Sequence, residues 1–349
     1  MVDKVTRVLI IDDSAYIRKV IKKMLSRSPF IEVIGTASDG EEALELVEQL
    51  NPDVITLDMV MPRLDGLGFL RAQMRRKPVR VVIVSINSES SDGVLEALEL
   101  GAIDFVHKPT SLATEKVFEI SEEVISKVKA AANARLPSLR LPISPSTALS
   151  YPFNKTLAKS PFDIVVIGIS TGGPQALRFL IPQFPKDFPL PIAMVLHMPV
   201  GYTKMYAQKL DEISSLTVVE ASEGDELKPG VVFLAAAGRH LKIVRNSIGQ
   251  AVAHLDNNPS NTLHCPSVDV LFQSATEVFS KRVLGIVMTG MGSDGKQGAA
   301  WIKSQGGTVF TEAEESCVVY GMPLSVVEAG LSDKSVNLSQ MARQIIEAI

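Results

Sequence analysis

Short apolar runs alternate with amphipathic helical patterns over the first part of the chain. Behind the first run, apolar residues recur at helix spacing after Ser14, a suitable N-cap. Alternating strand and helix units predict a doubly wound parallel sheet, whose functional edge lies at the carboxyl ends of its strands. The five predicted strands are residues 7–11, 31–34, 54–57, 79–84 and 103–106.

A second set of apolar runs begins near residue 162. Residues 162–168, 192–196 and 283–288 are almost unbroken runs of aliphatic side chains, as is typical of parallel strands buried on both faces. Helical patterns and glycine-rich turns follow them. The fold class is therefore α/β, with two doubly wound parallel-sheet domains.

The segment between the two sets has a different composition. Residues 137–161 contain five prolines, and residues 124–162 carry six basic and no acidic side chains. We predict a domain over 1–128, a proline-rich basic linker over 129–161 and a second domain over 162–349. The basic stretch is either a solvated tether or a segment that docks onto an acidic surface.

Composition narrows the classes of function. A formal net charge of -4 over 349 residues argues against a general nucleic-acid binder. The mean hydropathy of +0.20 is high, but the apolar runs are shorter than the ~20 residues of a membrane span. The first residues have no signal-peptide core, and the two cysteines form neither a disulfide framework nor a zinc pattern. We therefore expect a cytoplasmic protein without membrane insertion.

Polar side chains follow the predicted strands of the first domain. Three carboxylates at one sheet edge repel one another unless a cation lies among them, and hard oxygen ligands suit Mg²⁺. A lysine and a hydroxyl at the same edge would contact the oxygens of a phosphoryl group. These residues are Asp12, Asp13, Asp58, Ser85 and Lys108.

The first part of the chain resembles the receiver domain of two-component response regulators. The resemblance lies in these five residues and in the strings from Asp58 to Pro62 and Lys108-Pro109. The resemblance covers residues 5 to about 128 and implies a flavodoxin-like fold. It implies that Asp58 accepts phosphate from a histidine kinase, and that Ser85, Phe105 and Lys108 act as the switch that responds to the phosphate. The implied Mg²⁺ ligands are Asp12, Asp13, Asp58 and the carbonyl of Val60. Ile86 departs from the family, where a small residue is common, and we expect it to affect phosphorylation rates.

In the second domain, Gly168-Ile-Ser170-Thr-Gly172 follows a predicted strand and precedes a helical pattern. A G-x-S-x-G turn exposes a nucleophilic serine beside backbone N–H groups. A glycine-rich turn at a helix N-terminus also cradles phosphate. The motif alone leaves both interpretations open.

Two further residues favour the nucleophile. His197 directly follows the run 192–196, and Asp294 lies in the glycine-rich turn after 283–288. Ser, His and Asp at one sheet edge are the parts of a hydrolytic triad. Their chain order differs from the Ser, Asp, His order of the α/β-hydrolases, which argues against that fold.

This domain resembles the catalytic domain of the CheB-type chemotaxis protein-glutamate methylesterases and glutaminases. The resemblance implies a Rossmann-like hydrolytic domain with Ser170 as nucleophile, His197 as general base and acid, and Asp294 as the residue that orients the histidine. It also implies that Thr171 and Met291 line the oxyanion and substrate region. The matching strings are residues 168–173, 197–199, 266–272, 289–295 and 317–323.

Three residues near these strings carry separate expectations. Ala236 stands where an Ala-Pro-Gly turn is usual, and Cys265 stands where Arg is common. Both departures are expected to alter substrate contacts. His264 and Cys265 are adjacent, so we expect their side chains to diverge rather than form a catalytic dyad.

By resemblance, the protein is a phosphorylation-activated hydrolase for chemotactic adaptation. It would demethylate glutamates and deamidate glutamines of chemoreceptors, with Mg²⁺ needed only by the receiver and a histidine kinase as phosphodonor. The unphosphorylated receiver would cover the edge that carries Ser170. Two alternatives stay open at this point: a phosphorylation-dependent adaptor that cleaves no ester, and a receiver-regulated esterase with other substrates.

Overall fold

Parallel β-sheets flanked by helices build both parts of the molecule. The computed structural model describes residues 5–85, 91–108, 114–134 and 160–349. The chain divides into two compact units, residues 1–140 and 141–349. Ile86 and most of the predicted linker lie outside the described residues.

The first unit is a five-stranded parallel sheet in the order β2-β1-β3-β4-β5. This order is that of the flavodoxin-like folds, and it confirms the predicted strands and fold class. Its elements are β1 (Thr6–Ile11), α1 (Ala15–Leu25), β2 (Ile31–Ala37), α2 (Gly40–Leu50), β3 (Val54–Leu57), α3 (Gly66–Arg76), β4 (Arg80–Ser85), α4 (Ser91–Glu99), β5 (Asp104–His107) and α5 (Thr114–Asn133).

Helix α5 continues to Asn133, so its end lies inside the range that the sequence assigned to the linker. Packing explains the extra residues, because Val128 and Ala131 are completely buried. Arg80 of β4 also donates a hydrogen bond from Nε to the carbonyl of Ala134 (2.8 Å). The boundaries 1–128, 129–161 and 162–349 otherwise stay predictions.

The second unit contains a seven-stranded parallel sheet in the order β14-β13-β12-β6-β7-β9-β8, and a separate antiparallel pair, β10-β11. Its elements are β6 (Ile164–Ile169), α6 (Gly173–Leu180), β7 (Ile192–Leu196), α7 (Thr203–Glu212), β8 (Thr217–Glu220), β9 (Val231–Leu234), β10 (His240–Arg245), β11 (Ala251–Asp256), α8 (Val268–Phe279), β12 (Val283–Val287), α9 (Lys296–Ser304), β13 (Thr308–Glu312), α10 (Met322–Glu328), β14 (Lys334–Val336) and α11 (Leu338–Ala348).

The central strands β6, β7 and β12 are buried along their whole length. This explains why the sequence shows them as unbroken apolar runs rather than as alternating patterns. Strand β6 pairs with β7 on one side and with β12 on the other, so the strand order reverses beside it. In open α/β sheets such a reversal forms a crevice at the carboxyl ends of the strands, where ligands bind.

Candidate active site and phosphorylation site

Ser170 lies in a tight turn between β6 and α6. Its N–H donates to the carbonyl of Thr289 (3.0 Å), and its own carbonyl accepts from the N–H of Gly173 (2.7 Å). Gly172 has φ +80°, and a Cβ there would lie 2.5 Å from Cβ of Val318, so the turn requires glycine. The local geometry is the strand–turn–helix arrangement predicted for an exposed nucleophile.

His197 and Asp294 meet at the crevice beside this turn. His197 follows β7, Asp294 lies in the turn after β12, and β6 runs between these two strands. Nε2 of His197 lies 2.8 Å from Oδ2 of Asp294, and both side chains are only 9% exposed. The structure therefore brings together a histidine and a carboxylate that are 97 positions apart in the chain.

Asp294 is held by an unusual number of hydrogen-bond donors. Its oxygens accept from the hydroxyl of Ser267 (2.9 Å), the N–H groups of Val268 (2.8 Å), Asp269 (3.0 Å) and Gly295 (3.1 Å), and the ring of His197. Burial raises the pKa of Asp294, but the bond and charge of His197 and these N–H groups outweigh it and hold the pKa well below its usual range. Asp294 is therefore a fixed carboxylate with no need to take up a proton.

The bond to Asp294 identifies which nitrogen of His197 is free to act as a base. Because Nε2 donates to the carboxylate, Nδ1 carries the lone pair. Nδ1 is buried and has no hydrogen-bond partner among the described residues. Nδ1 makes no hydrogen bond to the hydroxyl of Ser170. The two residues nevertheless follow paired strand positions, because β6 and β7 pair as far as Ile169 and Leu196, which directly precede Ser170 and His197. Such catalytic bonds often tighten only when substrate binds.

The two predicted oxyanion and substrate residues border the same turn. Thr171 is buried, and its carbonyl accepts from the hydroxyl of Thr289 (3.0 Å). Met291 is 37% exposed and follows Gly290, where a Cβ would lie only 2.7 Å from Cβ of Ser170. Within the described parts of the chain, the backbone N–H of Met291 donates no hydrogen bond.

Sequence reasoning missed a second histidine at this site. The ring of His264 stacks on His197, with ring centroids 4.0 Å apart and planes inclined by 23°. The expectation that His264 and Cys265 do not form a catalytic dyad stays a prediction, and it overlooked this contact of His264. Its position just before the motif that begins at Pro266 was the available signal.

The two departures from the family pattern lie next to one another. The turn that begins at Ala236 is bonded to the second departure, because the N–H of Gly238 donates to the carbonyl of Cys265 (3.0 Å). Cys265 is exposed. Their effect on substrate contacts stays a prediction.

In the first unit, Lys108 joins two of the predicted acidic residues. Its Nζ lies 2.6 Å from Oδ2 of Asp58 and 2.7 Å from Oδ2 of Asp12, and all three side chains are buried. Burial raises the pKa of Asp12 even though the bond and charge of Lys108 lower it. The carbonyl of Ser85 accepts from the N–H of Lys108 (2.7 Å), which couples the ends of β4 and β5.

The acidic cluster has the chemistry of a magnesium site. One carboxylate oxygen from each of Asp12, Asp13 and Asp58 lies within 4.8 Å of the others. Three carboxylate oxygens this close together would suit Mg²⁺, which prefers hard oxygen ligands. Val60 lies two residues beyond Asp58 with an exposed side chain, and Phe105 is buried. The residues present therefore fit the cation.

The family comparisons agree with this geometry. Residues 165–345 match the CheB methylesterase model, and residues 8–117 match the response regulator receiver domain. The chain is 49% identical to a protein-glutamate methylesterase/protein-glutamine glutaminase of Myxococcus xanthus, over 96% of this chain and 95% of that one. It is 40% identical to the protein of the same name from Thermotoga maritima, over the full length of both.

A solved structure resembles the second unit. The crystal structure of the Thermotoga maritima CheB methylesterase catalytic domain matches with a TM-score of 0.52 and 42% identity, covering 54% of this chain and 99% of that one. No helix in the described parts of the chain has both the length and the apolar content that crossing a membrane requires.

Proposed function

Because this chain belongs to the CheB methylesterase family, we propose that Ser170, His197 and Asp294 carry out its reaction. The protein is a protein-glutamate methylesterase and protein-glutamine glutaminase with a receiver domain that regulates it. The observation that carries the assignment is the bond from His197 to the buried Asp294 beside the turn that holds Ser170. This pair leaves one histidine nitrogen free for the serine proton.

Acylation begins when Oγ of Ser170 attacks the side-chain carbonyl carbon of a methylated glutamate. Nδ1 of His197 takes the hydroxyl proton as the C–O bond forms, and Asp294 stabilises the resulting imidazolium. The negative charge that develops on the carbonyl oxygen is stabilised by backbone N–H groups, for which we propose those of Thr171 and Met291. One such donor contributes about 3 kcal/mol to transition-state stabilisation.

The intermediate then collapses in the forward direction. The bond to the methoxy group breaks, and Nδ1 returns its proton to that group, which leaves as methanol. A water molecule gives a proton to Nδ1 and attacks the acyl carbon, so the bond to Ser170 breaks and the serine regains its proton. For a glutamine side chain the same steps release ammonia instead of methanol.

Regulation is proposed to begin at Asp58. Asp12, Asp13, Asp58 and the carbonyl of Val60 would hold Mg²⁺, which neutralises phosphoryl oxygens during transfer to the Asp58 carboxylate. Ser85, Phe105 and Lys108 would respond to the bound phosphate. A histidine kinase would be the phosphodonor and chemoreceptors the substrates, and the cytoplasmic location stays a prediction.

The central experiment follows methanol release from a methylated chemoreceptor fragment, with and without acetyl phosphate and Mg²⁺. We expect Ser170→Ala to abolish release, and Asp294→Asn to lower it by several orders of magnitude because the histidine loses its orienting carboxylate. Ser247→Ala, which changes an exposed serine in the β10-β11 turn, should leave it unchanged. Full activity of Ser170→Ala would contradict the triad.

The same assay tests the switch separately. We expect acetyl phosphate to raise the rate of the unmodified protein but not that of Asp58→Ala. Equal stimulation of both proteins would remove Asp58 as the phosphorylation site and leave the triad intact.

A further inference from the structure

His240, the first residue of β10, is completely buried and uses both ring nitrogens. Nδ1 accepts a hydrogen bond from the backbone N–H of Ser267 (3.2 Å). Nε2 lies 3.2 Å from the carbonyl oxygen of Pro259 and 3.3 Å from the hydroxyl oxygen of Thr262. The ring therefore joins both ends of the loop 257–267, which connects β11 to α8.

These partners determine the protonation state of the ring. An N–H group can only donate, so Nδ1 must be unprotonated where Ser267 approaches it. A carbonyl oxygen can only accept, so Nε2 must carry the proton that points to Pro259. His240 is therefore neutral, and a second proton on Nδ1 would face the N–H of Ser267 and displace it.

The loop that His240 holds reaches both partners of the catalytic pair. At its end, the hydroxyl of Ser267 donates to Oδ1 of Asp294 (2.9 Å). The next two residues, Val268 and Asp269, donate their N–H groups to the same carboxylate. Within the loop, His264 stacks on His197.

We propose that His240 is a positioning residue of the hydrolase, whose neutral ring holds Ser267 against Asp294 and His264 against His197. Protonation of His240 releases this loop and disorders the catalytic pair. The proposal rests on the triad assigned above, because it acts through Asp294 and His197 rather than on substrate.

The charges around His240 oppose one another. Burial lowers the pKa of His240, and nearby Lys242 lowers it further, while the bond to Pro259 and the charges of Asp256 and Asp294 raise it. Lys242 and Asp256 form an ion pair of 2.8 Å, so their effects on the ring partly cancel. Burial dominates, which keeps the ring neutral at physiological pH.

Two substitutions separate the two bonds of the ring. The amide oxygen in His240→Asn reaches the position of Nδ1 and accepts from Ser267. The amide nitrogen in His240→Gln reaches the position of Nε2 and donates to Pro259. Neither variant titrates. The matched control is His254→Asn on the neighbouring strand, where the half-exposed ring bonds Glu223 and, among the residues that the structure describes, makes no hydrogen bond to the loop.

The measurement is kcat for methanol release against pH in the full-length protein, with folding followed by Trp301 fluorescence. We expect His254→Asn to keep kcat near the unmodified value, and His240→Gln, which loses the acceptor for Ser267, to lower it about 10- to 100-fold through misplacement of the pair. His240→Asn, which keeps that acceptor, should recover most of this loss. In acid, log kcat of the unmodified protein should fall more steeply with pH than that of His240→Asn, because only the unmodified protein can protonate a ring at position 240.

Three results would overturn the proposal. One is an unchanged kcat in His240→Gln, and another is an equal loss in both His240 variants accompanied by equal losses of folding stability. The third is an identical dependence of log kcat on pH in the unmodified protein and in His240→Asn. Full activity of Ser170→Ala in the same assay would instead show that the triad assignment had failed.

Discussion

Glu312, at the end of β13, is a fully buried carboxyl group that is linked through Thr289 to Ser170, the proposed nucleophile. Its oxygens accept from the N–H of Thr289 (2.9 Å) and the hydroxyl of Ser316 (3.0 Å). The carbonyl of Thr289 in turn accepts from the N–H of Ser170. Burial raises the pKa of Glu312 from 4.5 to about 7, because its partners only partly replace water around the charge.

Glu312→Gln should change how the stability of the second unit depends on pH. A raised folded-state pKa contributes stability that is complete below about pH 4.5 and is lost as the pH rises through about 7. The variant lacks this contribution, so its unfolding free energy relative to the unmodified protein should rise by about 3 kcal/mol between pH 4.5 and 8. Denaturant unfolding followed by Trp301 fluorescence measures the difference.

Glu315→Gln is the matched control for this prediction, because Glu315 is exposed and three residues away. It should show no such pH-dependent difference. An identical pH dependence in Glu312→Gln and the unmodified protein would contradict the prediction.

Between elements, Asp269 links α8 to the start of α9. Gly295, the N-cap of α9, has no side chain to satisfy the first N–H groups of the helix. Oδ1 of Asp269 accepts from the N–H groups of Gly295 (2.9 Å) and Gly298 (2.7 Å) instead. Because Asp294 directly precedes Gly295, this cap also restrains the carboxylate proposed to orient His197.

Asp269→Ala should therefore lower both stability and rate. Loss of the cap is expected to reduce the unfolding free energy by about 1–2 kcal/mol. It should also lower kcat, because the turn that carries Asp294 is less well held. Asp269→Asn keeps an acceptor oxygen and should recover most of both losses, as measured by denaturant midpoints and methanol release.

Asn337→Ala gives the control at another helix. Asn337 caps α11 through the N–H of Ser339 (3.1 Å), so its removal should cost stability without lowering kcat. If Asp269→Ala loses no more activity than Asn337→Ala, the link from α8 to Asp294 does not affect the reaction.

At the scale of the whole molecule, the two units carry different chemistry and different reporters. The acidic cluster that fits Mg²⁺ lies in the first unit, and the single tryptophan, Trp301, lies in the second. Fluorescence of Trp301 therefore identifies which unfolding transition belongs to the hydrolytic unit.

Mg²⁺ should stabilise the receiver unit by binding its folded state. A concentration of 100 times Kd corresponds to about 2.7 kcal/mol, which raises the midpoint of the receiver transition in calorimetry. We expect no increase in Asp13→Ala, because one of the three carboxylates is lost. An equal Mg²⁺ effect in both proteins would place the cation elsewhere.

Much of this architecture was predictable because buried parallel strands have a simple sequence pattern. All five strands of the first sheet were predicted within three residues of their observed ends, and Ser14 caps α1 as expected. The end of α5 was not predicted, because it depends on packing of alanines rather than on a local stop signal. The residues that pack against such a helix in the tertiary fold decide where it ends.

The sequence alone determined where the candidate functional residues lie, because each follows an apolar strand and parallel strands end at one edge of a sheet. Ser170, His197 and Asp294 were identifiable in this way, as was the cluster around Asp58. Only the tertiary structure decided how they are held: which nitrogen of His197 is free, how Asp294 gains its donors, and which contacts His240 and His264 make. These contacts join segments far apart in the chain, so no local pattern encodes them.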